Sequence, residues 1–116
     1  MQFAIIAHDL PGDEAHMRRL DARAEHMESI RQLKIEGRIL DGGALLDDSG
    51  RMSGSVVLCD FQDRAALDAY LANEPYMRKK VWSDVKNSDI TPRRLRCVAV
   101  ALKRKTLISQ RLLIRP

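Results

Sequence analysis

The sequence predicts an α+β protein with the element order β-α-β-β-α-β. This is the ferredoxin-like plait, in which one antiparallel sheet carries both helices on a single face. Three observations predict it. Short apolar runs are typical of strands, and they alternate with stretches whose apolar residues recur three or four positions apart, as in helices. An Asp-Asp-Ser-Gly turn also joins two of the apolar runs, as in a β-hairpin.

The first predicted elements are a strand and a long helix. Residues 2–7 form a nearly continuous apolar run, which residues 8–12 end with Pro and Gly. A helix is predicted over about residues 13–36, where Asp13 can cap the start and Gly37 provides a stop signal.

A hairpin follows this helix. Residues 38–46 and 53–61 are predicted to pair across the turn at residues 47–50. The first of these strands contains Gly42-Gly43, and adjacent glycines inside a strand mark a bulge or a close backbone approach.

The last predicted elements are a second helix and a fourth strand. Asp63 can cap a helix over about residues 64–72, and Pro75 breaks the helical pattern before another short turn. Two segments can supply the fourth strand, one near residues 85–90 and one at residues 97–102.

The predicted strands are apolar on both faces, so the sheet face away from the helices needs a cover. A second copy of the chain is the simplest cover, and the sequence therefore predicts a homodimer of the dimeric α+β barrel type.

The charge pattern divides the chain into a domain, residues 1–102, and a basic extension, residues 103–116. The extension carries five of the 20 Lys and Arg residues and none of the 16 acidic ones, so the domain has 15 basic against 16 acidic residues. A near-neutral domain with five scattered aromatics argues against nucleic-acid binding. The extension could bind an anionic partner, pack on a partner subunit or be partly disordered.

Several features of the sequence indicate the cellular compartment of the protein. No apolar run approaches the roughly 20 residues of a membrane span, and no basic segment of a secretory signal stands at the N-terminus. Cys59 and Cys97 lie in separate apolar runs without a CxxC spacing. We therefore expect a cytoplasmic protein with two reduced thiols and no membrane contact.

Cofactor motifs are missing from the sequence. It has no phosphate-binding loop and no dinucleotide fingerprint. Asp9, His8, His16 and His26 lack the spacing of a zinc site. We therefore expect neither a cofactor nor a metal ion.

One histidine is placed for proton transfer. His26 lies beside the apolar stripe of the first helix, and Asp9 ends the strand before it. If the helix folds back on that strand, the imidazole can meet the carboxylate and exchange protons with a ligand. Arg23 lies one helical turn from His26 and can bind an anion, while Ser55 and the backbone near Gly43 can donate to an oxyanion. The same groups can equally serve only to stabilise the fold.

Several short motifs resemble those of one protein family in order and spacing. They are Arg23-x-x-His26, Gly37-Arg38-Ile39-Leu40, Gly42-Gly43, Gly54-Ser55 and Asn73-Glu74-Pro75-Tyr76. Together, over about residues 1–92, they resemble the YCII-related family of small dimeric α+β barrel proteins. One branch of that family removes chloride from a chlorinated hydroxyquinol, and muconolactone isomerases share the wider fold.

The resemblance implies a His–Asp dyad in a pocket between the sheet and the first helix. Carried over, the dyad is His26 with Asp9, and Ser55 and Tyr76 line the pocket. Two features depart from the family pattern. Glu74 stands where the family usually has Asp before Pro, and about 20 extra residues follow the expected end.

These observations favour a small-molecule pocket protein, a lyase or isomerase acting on an oxygen-rich cyclic or aromatic metabolite. In this hypothesis His26 is the acid or base and Asp9 orients it. The alternatives are a non-catalytic ligand-binding protein with the same pocket and a purely structural dimeric module.

Overall fold

The computed structural model describes residues 1–91 and confirms the ferredoxin-like α+β fold. Its elements are β1 Gln2–Asp9, α1 Asp13–Ile35, β2 Ile39–Leu46, β3 Met52–Asp60, α2 Arg64–Asn73, α3 Pro75–Arg78 and β4 Trp82–Ile90. The fourth strand is thus the earlier of the two candidates. The second candidate, at residues 97–102, lies outside the described residues. So do Cys97, the predicted domain boundary at residue 102 and the basic extension.

The four strands form one sheet in the order β2-β3-β1-β4, and every neighbouring pair is antiparallel. Alternate residues of β1 build the core, because Phe3, Ile5 and Ala7 are fully buried beneath the helices. None of the helices within residues 1–91 is long and apolar enough to cross a membrane.

The opposite face of the sheet is open in the single chain. Ala4 lies across from Leu58, and Ile6 across from Val56, with Ile6 43% exposed. Strands β1 and β3 are therefore apolar on both faces, as predicted, with one face on the core and the other uncovered. Strand β4 is not, because it places Ser88 and Lys86 beside Ala4 and Ile6 on the uncovered face. The homodimer stays a prediction.

The start of α1 differs from the expectation. Its N-cap is Gly12, at φ 97°, and Asp13 is the first helical residue. The predicted Asp13 cap was wrong because the tight turn requires a left-handed residue before the helix, which glycine adopts freely. Asp13 accepts a hydrogen bond from Arg51 instead, at 3.0 Å. The predicted stop at Gly37 is confirmed by its φ of 77°.

The junction between α2 and α3 directs one carboxylate inward. Asp63 caps α2 as predicted, accepting from the Ala66 N–H at 2.8 Å. Glu74 follows the helix in an extended conformation, because Pro75 disfavours helical geometry in the residue before it. Its side chain turns back to accept from the Tyr76 N–H at 3.3 Å and is 1% exposed.

Strand β2 has the predicted irregularity. Its register with β3 shifts between Ile39 and Asp41, and a Cβ on Gly42 would lie 2.7 Å from the Val56 carbonyl oxygen. A Cβ on Gly43 would meet nothing within 4 Å. Of the two adjacent glycines in β2, only Gly42 is therefore required by a close approach of the neighbouring backbone.

We predict that Gly42→Ala lowers the free energy of unfolding by about 1–3 kcal/mol, because the new methyl group presses on the β3 backbone. Gly43→Ala is the matched control, with an expected effect between none and a gain of about 1 kcal/mol. Urea denaturation of both variants measures the difference. Equal losses would contradict the contact at position 42.

Cys59 provides a pH-dependent test of the core. Burial, and then the charge of Asp60, raise the pKa of the Cys59 thiol from 9.0 to about 11. Because the folded-state pKa is the higher one, the thiol's contribution to stability is complete below about pH 9 and is lost as the pH rises toward 11.

We therefore predict that a Cys97→Ala protein loses stability relative to the Cys59→Ala, Cys97→Ala double variant between pH 9 and 11. Urea denaturation at a series of pH values measures this difference. If the free energies of unfolding of the two proteins changed with pH in the same way, the pKa of Cys59 would not be raised by folding.

Candidate active site

A cavity of about 410 Å³ lies between α1 and the hairpin of β2 and β3. Small residues on β2 create it. Gly42 lies across from Val57, and Ala44 across from Ser55, so both are on the face toward α1 and neither fills the space beneath the helix. The polar and charged side chains that line the cavity are Arg19, Arg23, His26, Arg31, Lys34, Asp41, Ser55 and Tyr76.

The imidazole of His26 is held on three sides. Its Nδ1 forms a short hydrogen bond with Glu74 Oε1. Its ring stacks on Tyr76, with centroids 3.9 Å apart at 13°, and meets the edge of Trp82 at 6.2 Å. His26 is 8% exposed. The partner of His26 is thus Glu74, and the predicted pairing with Asp9 was wrong.

The contact with Glu74 determines which ring nitrogen serves a ligand. Since Nδ1 is engaged by a carboxylate, we assign the proton of the neutral ring to Nδ1. The remaining nitrogen, Nε2, then carries a free lone pair. His26 lines the cavity, whereas Glu74 lies behind it, so the ring connects the cavity to a buried acid.

Asp9 has a different partner. Arg19 Nη1 donates to both carboxylate oxygens of Asp9, at 3.0 and 3.2 Å. Asp9 meets Arg19 because it ends β1 just before α1 begins, whereas His26 is seven residues, or about 10 Å, farther along the helix. Burial raises the pKa of Asp9, and the Arg19 charge opposes this effect.

Arg19 also fixes a hydroxyl in the cavity. Its Nη2 donates to the Gly54 carbonyl oxygen at 2.8 Å and to Ser55 Oγ at 3.0 Å, and its guanidinium lies 4.7 Å from the centre of the Tyr76 ring. Trp82 Nε1 donates to the same Oγ at 3.3 Å. Because Ser55 Oγ already accepts twice, its own proton remains available to a ligand.

The other predicted ligand-binding residues also reach the cavity. Arg23 and Gly43 line it together with Tyr76, whose phenol pKa is raised by burial. Arg23 is exposed and forms no salt bridge within residues 1–91, so no acid in the described part of the chain neutralises it. Five of the six predicted site residues therefore line one cavity, and Asp9 lies behind Arg19.

No group of three His, Cys, Asp or Glu side chains in the described part of the chain is arranged to hold a metal ion.

Comparison with known proteins identifies the family. A family model described as a YCII-related domain matches residues 1–91. The chain belongs to the YCII-related family. An uncharacterized protein of Haemophilus influenzae is 31% identical over 91 residues, covering 73% of this chain and 91% of that protein.

Two solved structures are similar to this chain to different degrees. The 5-chloro-2-hydroxyhydroquinone dehydrochlorinase of Burkholderia phenoliruptrix AC1100, in complex with 2,5-dihydroxybenzoquinone, has a TM-score of 0.70 at 23% identity and covers 78% of this chain and 94% of its own. A dimeric ferredoxin-like protein of unknown function from Jannaschia sp. CCS1 has a TM-score of 0.47 at 19% identity, covering 78% and 98%.

Glu74 and Arg19, which hold the predicted residues of this YCII-related site in place, were not themselves predicted. Glu74 could have been found from its position, because it stands where the family usually has an acid before proline. Arg19 had a weaker signal. It lies four residues before Arg23 and seven before His26, which places all three along one side of the helix.

We predict that Glu74→Gln lowers the free energy of unfolding by about 1–3 kcal/mol, because it weakens a buried hydrogen bond to His26. Glu28→Gln is the matched control. Glu28 forms an exposed pair with Arg31 at 2.7 Å, so its loss should change stability little. Urea denaturation at pH 7 compares them, and similar losses in both variants would show that the buried contact is weak.

Proposed function

We propose that this YCII-related protein is a cofactor-independent lyase or isomerase that uses His26 as its acid or base. The observation that carries the proposal is the arrangement of one imidazole. Nδ1 is engaged by a buried carboxylate, while the same ring lines a cavity of about 410 Å³. A carboxylate in this position orients the imidazole and stabilises the imidazolium that forms when the ring takes a proton.

The reaction begins with proton removal from a substrate hydroxyl or acidic carbon by His26 Nε2. The proton returns at another atom in an isomerisation, or leaves with a departing group in an elimination. In this scheme Glu74 takes the orienting role first expected of Asp9. Asp9 instead holds Arg19, which in turn holds the Ser55 hydroxyl.

The charges around the cavity favour an anionic, oxygen-rich substrate. Arg19 pairs with Asp9 and Arg31 with Glu28. Arg23 and Lys34 form no salt bridge within residues 1–91, and together they outweigh Asp41, the acid in the lining. Arg23 can pair with a phenolate or carboxylate, and the Ser55 proton can bind a ring oxygen. The flat Tyr76 and His26 rings suit a cyclic or aromatic ligand.

The ligand of the dehydrochlorinase supports this substrate class. That enzyme is named for a chlorinated hydroxyhydroquinone and was solved with 2,5-dihydroxybenzoquinone, a ring bearing oxygens on opposite sides. A ring of this kind would meet both His26 and the Arg23 side of the cavity. We further propose that the protein acts in the cytoplasm as a homodimer whose subunits cover each other's open sheet faces.

Non-catalytic binding is the second candidate. Arg19 and His26 already have carboxylate partners, so the cavity is preorganised to hold a ligand whether or not a proton moves.

The test compares binding with turnover. Calorimetry measures affinity for 2,5-dihydroxybenzoquinone. Chloride release from 5-chloro-2-hydroxyhydroquinone and isomerisation of a muconolactone measure catalysis. We expect His26→Gln to lower kcat at least about 100-fold while changing probe affinity only a few fold. Arg23→Gln should weaken probe binding about tenfold, the loss of one charged hydrogen bond.

Lys79→Gln is the control for loss of a positive charge, because Lys79 pairs with Glu25 outside the cavity. Turnover by His26→Gln at the wild-type rate would exclude the acid–base role. Probe binding without turnover of either compound would favour the ligand-binding candidate.

A further inference from the structure

Two buried polar atoms stand behind the acid–base pair. Tyr70 Oη and Glu74 Oε2 have no hydrogen-bond partner within residues 1–91. Tyr70 is 9% exposed and Glu74 is 1% exposed. A buried donor or acceptor left unpaired costs about 1–3 kcal/mol, so two such atoms in one place need an explanation.

The sequence places these two groups beside each other. Tyr70 lies in the last turns of α2, and Glu74 follows four residues later at the end of that helix, so both point from the same side. Phe61 stacks on the Tyr70 ring, with centroids 5.2 Å apart at 26°, and holds the ring in place. Both side chains line a second cavity of about 300 Å³ beside α1, on which His26 does not border.

Their chemistry is complementary. Burial, and then the charge of Glu74, raise the pKa of Tyr70 well above its ordinary value. The phenol therefore keeps its proton at neutral pH and can donate it. Glu74 Oε1 already accepts hydrogen bonds from His26 Nδ1 and from the Tyr76 N–H. The other oxygen, Oε2, is the one left to accept.

We propose that Tyr70 is a positioning residue whose hydroxyl donates to Glu74 Oε2 and thereby orients the carboxylate that holds His26. The two residues line the same cavity, and neither Tyr70 Oη nor Glu74 Oε2 has a hydrogen-bond partner within residues 1–91. A rotation of the carboxylate about its last side-chain torsion, which is a soft one, closes the bond. The proposal extends the proposed function, because it assigns the group that fixes the orienting acid.

With the bond closed, both oxygens of Glu74 are held and its plane cannot turn away from the imidazole. The Nδ1–H form of the neutral ring is then favoured, which leaves the Nε2 lone pair for the substrate. Without the hydroxyl, the carboxylate can rotate, and the Nε2–H form gains population.

The experiment measures the tautomer of His26 by ¹⁵N NMR of histidine-labelled protein near neutral pH. Comparison with His26→Gln assigns the signals against His8 and His16. We expect the wild type to show Nδ1–H and Tyr70→Phe to show a measurable share of Nε2–H. Glu74→Gln changes the residue that contacts His26 directly, so it should show a larger share of Nε2–H than Tyr70→Phe.

Phe61→Leu is the packing control, because it disturbs the stack on Tyr70 without removing a hydroxyl. We expect it to lower the Tm and leave the tautomer unchanged. A wild-type tautomer in Tyr70→Phe, or an equal change in Phe61→Leu, would overturn the proposal.

The proposed hydrogen bond between Tyr70 and Glu74 can also be tested in the wild-type protein. The Tyr70 hydroxyl proton should give a slowly exchanging resonance in the folded protein, and its absence would count against the bond. None of these readouts requires turnover. Loss of catalysis in His26→Gln and the tautomer in Tyr70→Phe therefore test the two proposals separately.

Discussion

The buried ion pair of Arg19 and Asp9 fixes the position of α1 on the sheet. The Arg19 guanidinium contacts Asp9 at the end of β1, Gly54 near the start of β3 and the face of the Tyr76 ring. Removing two charges from water costs several kcal/mol, and the added hydrogen bonds to Gly54 and Ser55 help to offset that cost. Because α1 cannot slide while Arg19 is held, His26, about 10 Å along the helix, is held over the cavity as well.

Asp41 lines the cavity itself, whereas the two acids that contact Arg19 and His26 lie behind those side chains. Asp9 and Glu74 contact Arg19 and His26 from the far side, and neither lines the cavity. The cavity therefore borders the Arg19 and His26 side chains rather than their carboxylate partners, which orient those side chains from behind. Buried acids of this kind stabilise a fold only if their hydrogen bonds are satisfied. For this reason the surroundings of Glu74 matter as much as those of His26.

Local signals in the sequence predicted most of the fold. The Asp63 cap, the Gly37 stop and the irregular Gly42 each depend on a few adjacent residues, and the structure confirms all three. The pairing within the site depends on geometry over long separations. Asp9 was expected to reach His26, but the rise of the helix brings Arg19 to it first. Glu74 was noticed only as a departure from the family pattern, because its inward turn follows from Pro75 and from packing that no local pattern records.

The cavity exists because β2 presents little side-chain volume to α1. Ala44 lies directly across from Ser55, on the helix-facing side of an edge strand, and is exposed. A larger residue there would grow into ligand space without displacing the core around Phe3 and Leu67. The size of the binding site and the stability of the domain are thereby set by different residues. A substitution at position 44 could therefore change the shape of the cavity while keeping the His26–Glu74 contact and the fold intact.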